Sequence, residues 1–224
     1  MKIFIGYDPR ESVSYHVCAH SILRRSSIPV EITPLALVNL TGVFKRDRHS
    51  LQSTDFSFTR FLVPHLSDFK GWSLFMDSDM LVRTDISELK RLCNGESYRK
   101  SVFVVKHSYS PVDKETKFLG SKQTKYEKKN WSSVMLFNNT RCRSLTPEYV
   151  NSASGLDLHQ FKWTQGNEIG ELGKEWNHLV GEGPENPNAK IIHFTRGGPW
   201  FKEYDKGEYS REWFEEYESM STPL

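Results

Sequence analysis

The sequence has 224 residues, of which 37% are hydrophobic and 26% are charged, and its formal net charge is +2. This length and composition suit one well-buried globular domain covering residues 1–224. The small net charge argues against nucleic acid as a partner, because nucleic-acid binding needs a concentrated basic field. No apolar run approaches the roughly 18 residues of a transmembrane span, and the apolar stretch at residues 1–6 is too short for a signal peptide.

The three cysteines, Cys18, Cys93 and Cys142, are far apart and lack C-x-x-C spacing. That pattern suggests neither a disulfide framework nor a zinc site, so the default expectation is a reducing, cytoplasmic setting. Peripheral attachment to a membrane is compatible with that setting. A basic run at residues 122–129 and an acidic run at residues 212–218 are both interpreted as solvated faces.

Strand and helix signals alternate along the chain. Apolar runs predict strands at residues 3–5, 30–35, 73–76, 102–105, 134–137 and 190–193. Apolar spacing and capping residues predict helices capped by Ser12, spanning residues 56–66 with a kink at Pro64, and opening with a capping box at residues 85–88. Residues 40–53 are predicted to form a loop, and the aromatic and acidic tail at residues 213–217 is expected to pack on the domain.

This alternation indicates an α/β fold with a mostly parallel central sheet flanked by helices. In such sheets, ligands bind beyond the carboxyl ends of the strands. Asp8 and Asp77 follow predicted strands, and His193 closes one. We therefore expect these three side chains at the functional edge of the sheet.

Two carboxylates interrupt an apolar stretch at residues 75–82, where Asp77 and Asp79 flank Ser78. Burying an unpaired carboxylate is costly, so each acid needs a cation or strong donors. Residues i and i+2 of an extended chain point to the same side, and oxygen ligands suit Mn²⁺ or Mg²⁺ bridged to phosphate. The sequence therefore predicts a divalent-metal site, in which Ser78, between the two acids, contacts the substrate. The alternative is that both acids merely cap a turn or the next helix.

The segment at residues 191–200 places a polar loop after an apolar strand. His193 ends the strand, Arg196 adds a fixed cation suited to phosphate, and Gly197 permits close backbone approach to a bound group. A lone histidine in this position is often purely structural. Together, however, these residues indicate a site for an anion or a metal.

Segments 75–82 and 191–200 together resemble GT-A-fold glycosyltransferases of the glycogenin and galactosyltransferase type, called family 8. The resemblance extends over nearly the whole chain, with weaker matches at residues 3–8, 59–64, 134–138 and 176–177. It implies that the chain moves a sugar from a nucleoside diphosphate sugar, UDP-linked, to an acceptor hydroxyl with retention of configuration. The implied setting is surface polysaccharide or glycan synthesis, with a glycan, lipid or protein as the acceptor.

The resemblance also implies roles for particular residues. Asp77 and Asp79 match the metal-binding acids of the family, and His193 matches its additional metal ligand. Tyr7 and Asp8 match the segment that holds the base and ribose of the donor, although Tyr7 could pack in the core and Asp8 could cap a turn.

Arg60 matches a basic residue that neutralises the site or touches the diphosphate, although it could also be a solvated helix arginine. Trp176 and Asn177 match a dipeptide with a structural role. Gln165 and Glu168 match, in that order of preference, the position beneath the anomeric carbon of the sugar. Either of the last two could instead be a surface residue.

Two segments depart from the family pattern. Gly198-Pro199-Trp200 stands where the family has Lys-Pro-Trp, so Arg196 is the candidate to supply the missing charge. Residues 131–133 are Trp-Ser-Ser where the family tends to show Asn-x-Gly, which suggests different sugar recognition.

Two other functions compete with the glycosyltransferase. A haloacid-dehalogenase-like phosphohydrolase also uses Asp-x-Asp, but there the pair follows the first strand. A non-catalytic nucleotide-sugar-binding protein would account for the absent family lysine. If the enzyme inverted configuration, it would need a carboxylate base, for which Asp157 or Glu168 could serve.

Overall fold

The computed structural model describes residues 1–48, 52–108 and 128–221, and within these ranges the chain forms nine β-strands and five α-helices. The strands are β1 (Lys2–Gly6), β2 (Glu31–Leu35), β3 (Trp72–Met76), β4 (Met80–Val82), β5 (Val102–Val105), β6 (Val134–Asn138), β7 (Ile169–Leu172), β8 (His178–Leu179) and β9 (Ile191–His193). The helices are α1 (Ser12–Arg25), α2 (Val63–Leu66), α3 (Pro147–Ser152), α4 (Gly155–His159) and α5 (Ser210–Ser219). Short 3-10 segments lie at Pro9–Glu11, Leu37–Asn39, Thr59–Leu62, Ile86–Cys93, Gly95–Arg99, Trp131–Ser133, Asn139–Arg141, Gly166–Glu168 and Lys174–Asn177.

The main sheet has six strands in the order β2-β1-β3-β6-β5-β7. Only β6 runs against its neighbours, and the pairs β2–β1, β1–β3 and β5–β7 are parallel. The predicted α/β class with a mostly parallel sheet is therefore confirmed. Because β1, β3 and β5 run the same way, the residues that follow them meet at one edge, which we call the carboxyl edge.

A second, three-stranded sheet lies beside the carboxyl edge, in the order β4-β9-β8. Strand β4 continues from β3 after a bend at Ser78 and Asp79, and it pairs antiparallel with β9 so that Met80 faces His193. The amide of Phe194 also donates a hydrogen bond to the carbonyl of Asp79, with an N–O distance of 2.9 Å. This pairing carries the last predicted strand, far away in sequence, to the acid pair.

Alternation along the strands divides the apolar side chains between two core layers. One layer contains Phe4, Phe75, Val102, Val104, Met135 and Phe137, and the other contains Ile3, Ile5, Leu74, Met76, Phe103, Val105, Val134 and Leu136. Both faces of the sheet are thus covered, which is the reason its strands read as continuous apolar runs. Each such buried side chain contributes roughly 1.5–3 kcal/mol, so the sheet is a rigid base for the loops at its edge.

The C-terminal tail packs on the domain as predicted, because it forms helix α5 against α1. Trp213 and Glu216 are each only 2% exposed. Glu216 is held by three basic side chains of α1: His20 at 2.6 Å, Arg25 at 2.7 Å and Arg24 at 3.6 Å. The acidic run at residues 212–218 is therefore not simply a solvated face.

Other sequence predictions need correction at the level of single elements. Ser12 is the first residue of α1 and not its cap, since the preceding Glu11 occupies that position without a side-chain hydrogen bond. Pro64 lies in the first turn of α2, where a proline has no amide bond to lose, so it marks a boundary and not a kink. Strands β4, β7 and β8 and helices α3, α4 and α5 were not predicted.

Among the described residues, no helix has both the length and the apolar character needed to cross a bilayer. Residues 49–51 of the predicted loop and residues 122–127 of the basic run lie outside the described ranges.

Candidate metal centre

The carboxyl edge brings Asp77, Asp79 and His193 together. Each offers one ligand atom, and these atoms all lie within 4.8 Å of one another. His193 Nε2 is 3.3 Å from Asp79 Oδ1 and 3.9 Å from Asp77 Oδ2. The convergence follows from the fold, because β3 ends just before Asp77 while the β4–β9 pairing places His193 beside the second acid.

The chemistry of this cluster fits a divalent cation. Within the described ranges, Asp79 Oδ1 is buried and has no hydrogen-bond partner. Two carboxylates in one partly buried site repel each other and are costly to desolvate, and a cation among them removes both costs. Two carboxylate oxygens and an imidazole nitrogen form a donor set that suits a divalent cation.

Arg60 forms an ion pair with Asp77, the first of the two acids. Its side chain is buried, with Nη1 2.8 Å from Asp77 Oδ1 in an ion pair that is not aligned as a hydrogen bond. The same nitrogen donates to the Ser132 carbonyl at 2.8 Å, and the guanidinium lies 4.9 Å from the centre of the Phe75 ring. Burial rules out a solvated helix arginine, and the ion pair compensates part of the negative charge of the site.

Asn177 holds the other side of His193. Its Oδ1 is 2.8 Å from His193 Nδ1, and its Nδ2 donates to the Asn130 carbonyl at 3.3 Å. Asn177 has no exposed surface. The predicted structural role of the Trp176-Asn177 dipeptide is therefore exerted directly on a candidate metal ligand.

Glu11 is an acid of this edge that sequence reasoning missed. It is 8% exposed, and burial, followed by the charges of Asp79 and Asp8, raises its pKa to about 8. The indole of Trp200 lies close enough to favour the charged form but is not aligned for a full hydrogen bond. The only sequence signal was the position of Glu11 in the loop after β1.

His107 is a second group that the sequence did not indicate. It follows β5, and burial, followed by the nearby His193, lowers its pKa to about 4. Within the described ranges, its buried Nε2 has no hydrogen-bond partner. The signal that could have found it is its place at the carboxyl end of a predicted strand.

Tyr7 and Asp8 lie at the carboxyl end of β1, next to β3. Asp8 is buried and caps its own loop: its carboxylate accepts hydrogen bonds from the amide and Nε of Arg10, at 3.0 and 2.9 Å, and from the Asp55 amide at 3.1 Å. Burial acts to raise the pKa of Asp8, but these hydrogen bonds outweigh it and leave the pKa below its usual value. Tyr7 is half-buried and packs edge-on against Tyr15 at 5.4 Å.

Arg196 and Gly197 lie in the loop that follows β9 and its last residue, His193. Arg196 is exposed, and its Nη2 lies 3.2 Å from Glu182 Oε1. Gly197 has φ +127°, and a Cβ there would come within 2.5 Å of the Tyr204 ring, so both backbone and packing require glycine. Ser78, between the two acids, is 2% exposed.

Gln165 and Glu168 do not join this cluster, which corrects the prediction that they lie beneath the sugar. They precede β7, whose first residue Ile169 pairs with the first residue of β5. They therefore lie at the opposite edge of the sheet, roughly 15 Å from the acid pair along the strands. Gln165 is exposed, and Glu168 accepts hydrogen bonds from Arg141, Ser101 and Thr164 there.

Comparison with solved structures identifies the fold. The bifunctional glycosyltransferase WbbM matches 100% of this chain with a TM-score of 0.70 and 18% identity, and the chain spans 50% of WbbM. GlyE of Streptococcus pneumoniae TIGR4, a glycosyltransferase, has a TM-score of 0.62 and 16% identity over 96% of this chain and 59% of its own. The galactosyltransferase LgtC, solved with donor and acceptor sugar analogues, has a TM-score of 0.60 and 13% identity over 100% of this chain and 98% of its own. The chain thus has the GT-A glycosyltransferase fold, and it spans only half to three-fifths of WbbM and GlyE.

No protein-family model matches the sequence. Protein CDI of Arabidopsis thaliana is 45% identical over 229 residues, which cover 98% of this chain and 87% of that protein. Identity of this extent over almost the whole of both chains means that this chain belongs to the family of Protein CDI.

Proposed function

We propose that this chain is a metal-dependent glycosyltransferase that moves a sugar from a nucleoside diphosphate sugar to an acceptor hydroxyl. The observation that carries the proposal is the cluster of Asp77, Asp79 and His193 at the carboxyl edge of a GT-A fold, where a buried oxygen of Asp79 has no hydrogen bond among the described residues. The haloacid-dehalogenase alternative is disfavoured because the acid pair follows β3, whereas that class places it after the first strand.

The residues of the edge would share the work of holding the donor. Asp77, Asp79 and His193 would hold Mn²⁺ or Mg²⁺, which supplies positive charge to the departing diphosphate. Arg60 would keep Asp77 oriented and partly neutralised. Arg196, whose guanidinium lies beside Glu182, would turn towards the diphosphate in place of the lysine that family 8 has.

The loop after β1 would form the nucleoside end of the site. Because its own loop satisfies the Asp8 carboxylate, Asp8 would shape the pocket, and the half-buried Tyr7 ring would meet the base. Ser78 and the backbone at Gly197 would approach the phosphates. These assignments follow the family 8 resemblance, as do the UDP-linked donor and retention of configuration.

The wider setting of the proposal is also inferred. We take residues 1–224 as one glycosyltransferase domain in the cytoplasm, acting in surface polysaccharide or glycan synthesis on a glycan, lipid or protein acceptor. With Gln165 and Glu168 at the other edge, the group that faces the anomeric carbon belongs among the residues of the carboxyl edge.

The test is a panel of nucleoside diphosphate sugars incubated with the protein and Mn²⁺, with release of nucleoside diphosphate as the readout. We expect turnover of at least one donor, abolished by EDTA and restored by Mn²⁺. Hydrolysis of an aryl phosphate without turnover of any donor would favour the phosphohydrolase. Binding of nucleoside diphosphates in a thermal-shift assay, without turnover, would favour the non-catalytic binding protein.

A further inference from the structure

The hydrogen bonds of Asn177 determine which nitrogen of His193 carries the proton. The Asn130 carbonyl can only accept, so the Asn177 atom that faces it must be the donor Nδ2. The acceptor Oδ1 of Asn177 then faces His193 Nδ1 at 2.8 Å. An acceptor in that position requires Nδ1 to carry the hydrogen, which leaves a lone pair on Nε2 in the neutral ring.

The lone pair on Nε2 points into the acid cluster. Nε2 lies 3.3 Å from Asp79 Oδ1, yet a nitrogen without hydrogen cannot donate to that oxygen. This agrees with the absence, among the described residues, of any hydrogen-bond partner for Asp79 Oδ1. Lone pairs of imidazole and carboxylate that face one another repel, and an ion placed between them turns this repulsion into coordination.

The side-chain amide of Asn177 is also linked to Asp77 through a chain of hydrogen bonds. The Asn130 carbonyl that receives Asn177 Nδ2 also accepts from Ser133 Oγ at 3.1 Å. The Ser133 carbonyl in turn accepts from the Asp77 amide at 3.0 Å. Asn130 itself is in the left-handed conformation, with φ 63°. The two hydrogen bonds to its carbonyl hold this turn in place.

We propose that Asn177 is a positioning residue for a divalent cation, which holds His193 in the Nδ1–H tautomer with Nε2 ready to bind metal. The inference rests on the metal site of the proposed function but not on any donor or acceptor. An amide suits this role because it is a neutral acceptor, whereas a carboxylate would add a third negative charge to a site that already holds two. Partners of metal-bound histidines typically affect metal affinity by about 10–100-fold.

The first experiment needs no variant and no metal. Long-range ¹H–¹⁵N NMR of the EDTA-treated wild-type protein, recorded about two pH units above the usual histidine pKa of about 6.5, assigns the protonated nitrogen of each ring. We expect a protonated Nδ1 and an unprotonated Nε2 for His193. Protonation at Nε2 overturns the proposal, whatever the protein later proves to bind or catalyse.

The second experiment compares two buried asparagines. Asn177→Leu removes the acceptor from His193, whereas Asn139→Leu removes an equally buried amide that donates to the Lys70 carbonyl and Ser73 at the opposite edge. By titration calorimetry with Mn²⁺, we expect affinity to fall roughly 10–100-fold in Asn177→Leu and to be unchanged in Asn139→Leu. Equal affinity in Asn177→Leu and the wild type, or equal losses in both variants, overturns the proposal. A wild-type protein that binds no Mn²⁺ contradicts the proposed function instead, and the NMR result still decides the tautomer.

Discussion

The two edges of the central sheet each hold an acid paired with an arginine, and they differ in what remains for a ligand. At the carboxyl edge, Arg60 contacts one oxygen of Asp77, and the neighbouring Asp79 keeps a buried oxygen without a hydrogen bond among the described residues. At the opposite edge, Glu168 accepts hydrogen bonds from Arg141, Ser101 and Thr164. An acid near a strand end is thus no sign of a site by itself.

Hydrogen bonding decides which edge needs an ion. Burial acts to raise the pKa of Glu168, but the hydrogen bonds from Thr164, Arg141 and Ser101 outweigh it and hold the pKa below its usual value. Glu168 is therefore stable as an anion without any metal. At the other edge, burial, followed by the charges of Asp79 and Asp8, raises the pKa of Glu11 to about 8. Of these two acid groups, the one at the carboxyl edge would gain from a cation.

The largest expected difference between the edges is in catalysis. Asp79→Asn removes a proposed metal ligand and should lower kcat for donor turnover by at least about a thousandfold, since a metal ion supplies several kcal/mol to the transition state. Its metal-free stability should not fall, because the change removes an uncompensated charge. Steady-state kinetics with Mn²⁺ and thermal unfolding in EDTA measure the two effects.

Glu168→Gln is the matched change at the opposite edge. It should leave kcat within about twofold of the wild type, because Glu168 lies roughly 15 Å from the acid pair. If Glu168→Gln lost activity as severely as Asp79→Asn, the assignment of the site to the carboxyl edge would be wrong.

The second comparison concerns the two arginines. Arg60 is 5% exposed, and Arg60→Leu leaves the Asp77 charge uncompensated in a buried place, which should lower the free energy of unfolding by about 3 kcal/mol. Arg141→Leu breaks a pair whose arginine side chain is 39% exposed, and it should cost less than about 1 kcal/mol. Urea unfolding in EDTA gives both values. Similar losses of unfolding free energy in the two variants would contradict the larger stabilisation expected from the buried Arg60–Asp77 pair.

The last comparison concerns the pH dependence that Glu11 gives to metal-free stability. The pKa of Glu11 is about 8 in the folded protein and 4.5 as its ordinary value, so between these pH values the folded state binds more protons than the unfolded state. Stability should therefore fall as the pH rises from 4.5 to 8, by roughly 4 kcal/mol, and change little from this group above pH 8.

Glu11→Gln should remove that slope. The stability of the variant relative to the wild type should therefore be greater at pH 8 than at pH 5. Glu215→Gln, on the exposed face of α5, serves as the control and should leave the profile unchanged. Parallel wild-type and Glu11→Gln profiles would contradict the burial of Glu11 beside Asp79.

The sequence was sufficient for the fold class and for the three candidate metal ligands. Strands β1, β3, β5 and β6 are continuous apolar runs because both of their faces are buried, so periodicity and β-branched composition were informative. Asp77 and Asp79 stood out as charges within such a run, and His193 stood out at the end of another. Each of these signals is local in the chain.

What the sequence did not predict depends on long-range contacts. The sequence around Glu11 gives no local sign that this residue lies near Asp79. Strand β4 has only three residues and is defined by its pairing with β9. Gln165 was chosen by similarity to a motif, whereas its place is set by the parallel pairing of β7 with β5, which directs the preceding residues to the opposite edge. Asn177 had a signal, the Trp-Asn dipeptide, but its contact with His193 depends on the fold.

The most direct test of the metal centre is a crystal of the protein grown with MnCl₂ and UDP, with diffraction data collected at the manganese absorption edge. The expected result is one strong anomalous peak bonded to an oxygen of Asp77, an oxygen of Asp79 and Nε2 of His193, with a diphosphate oxygen completing the contact. A peak at any other place, or none between these three side chains at saturating Mn²⁺, would contradict it.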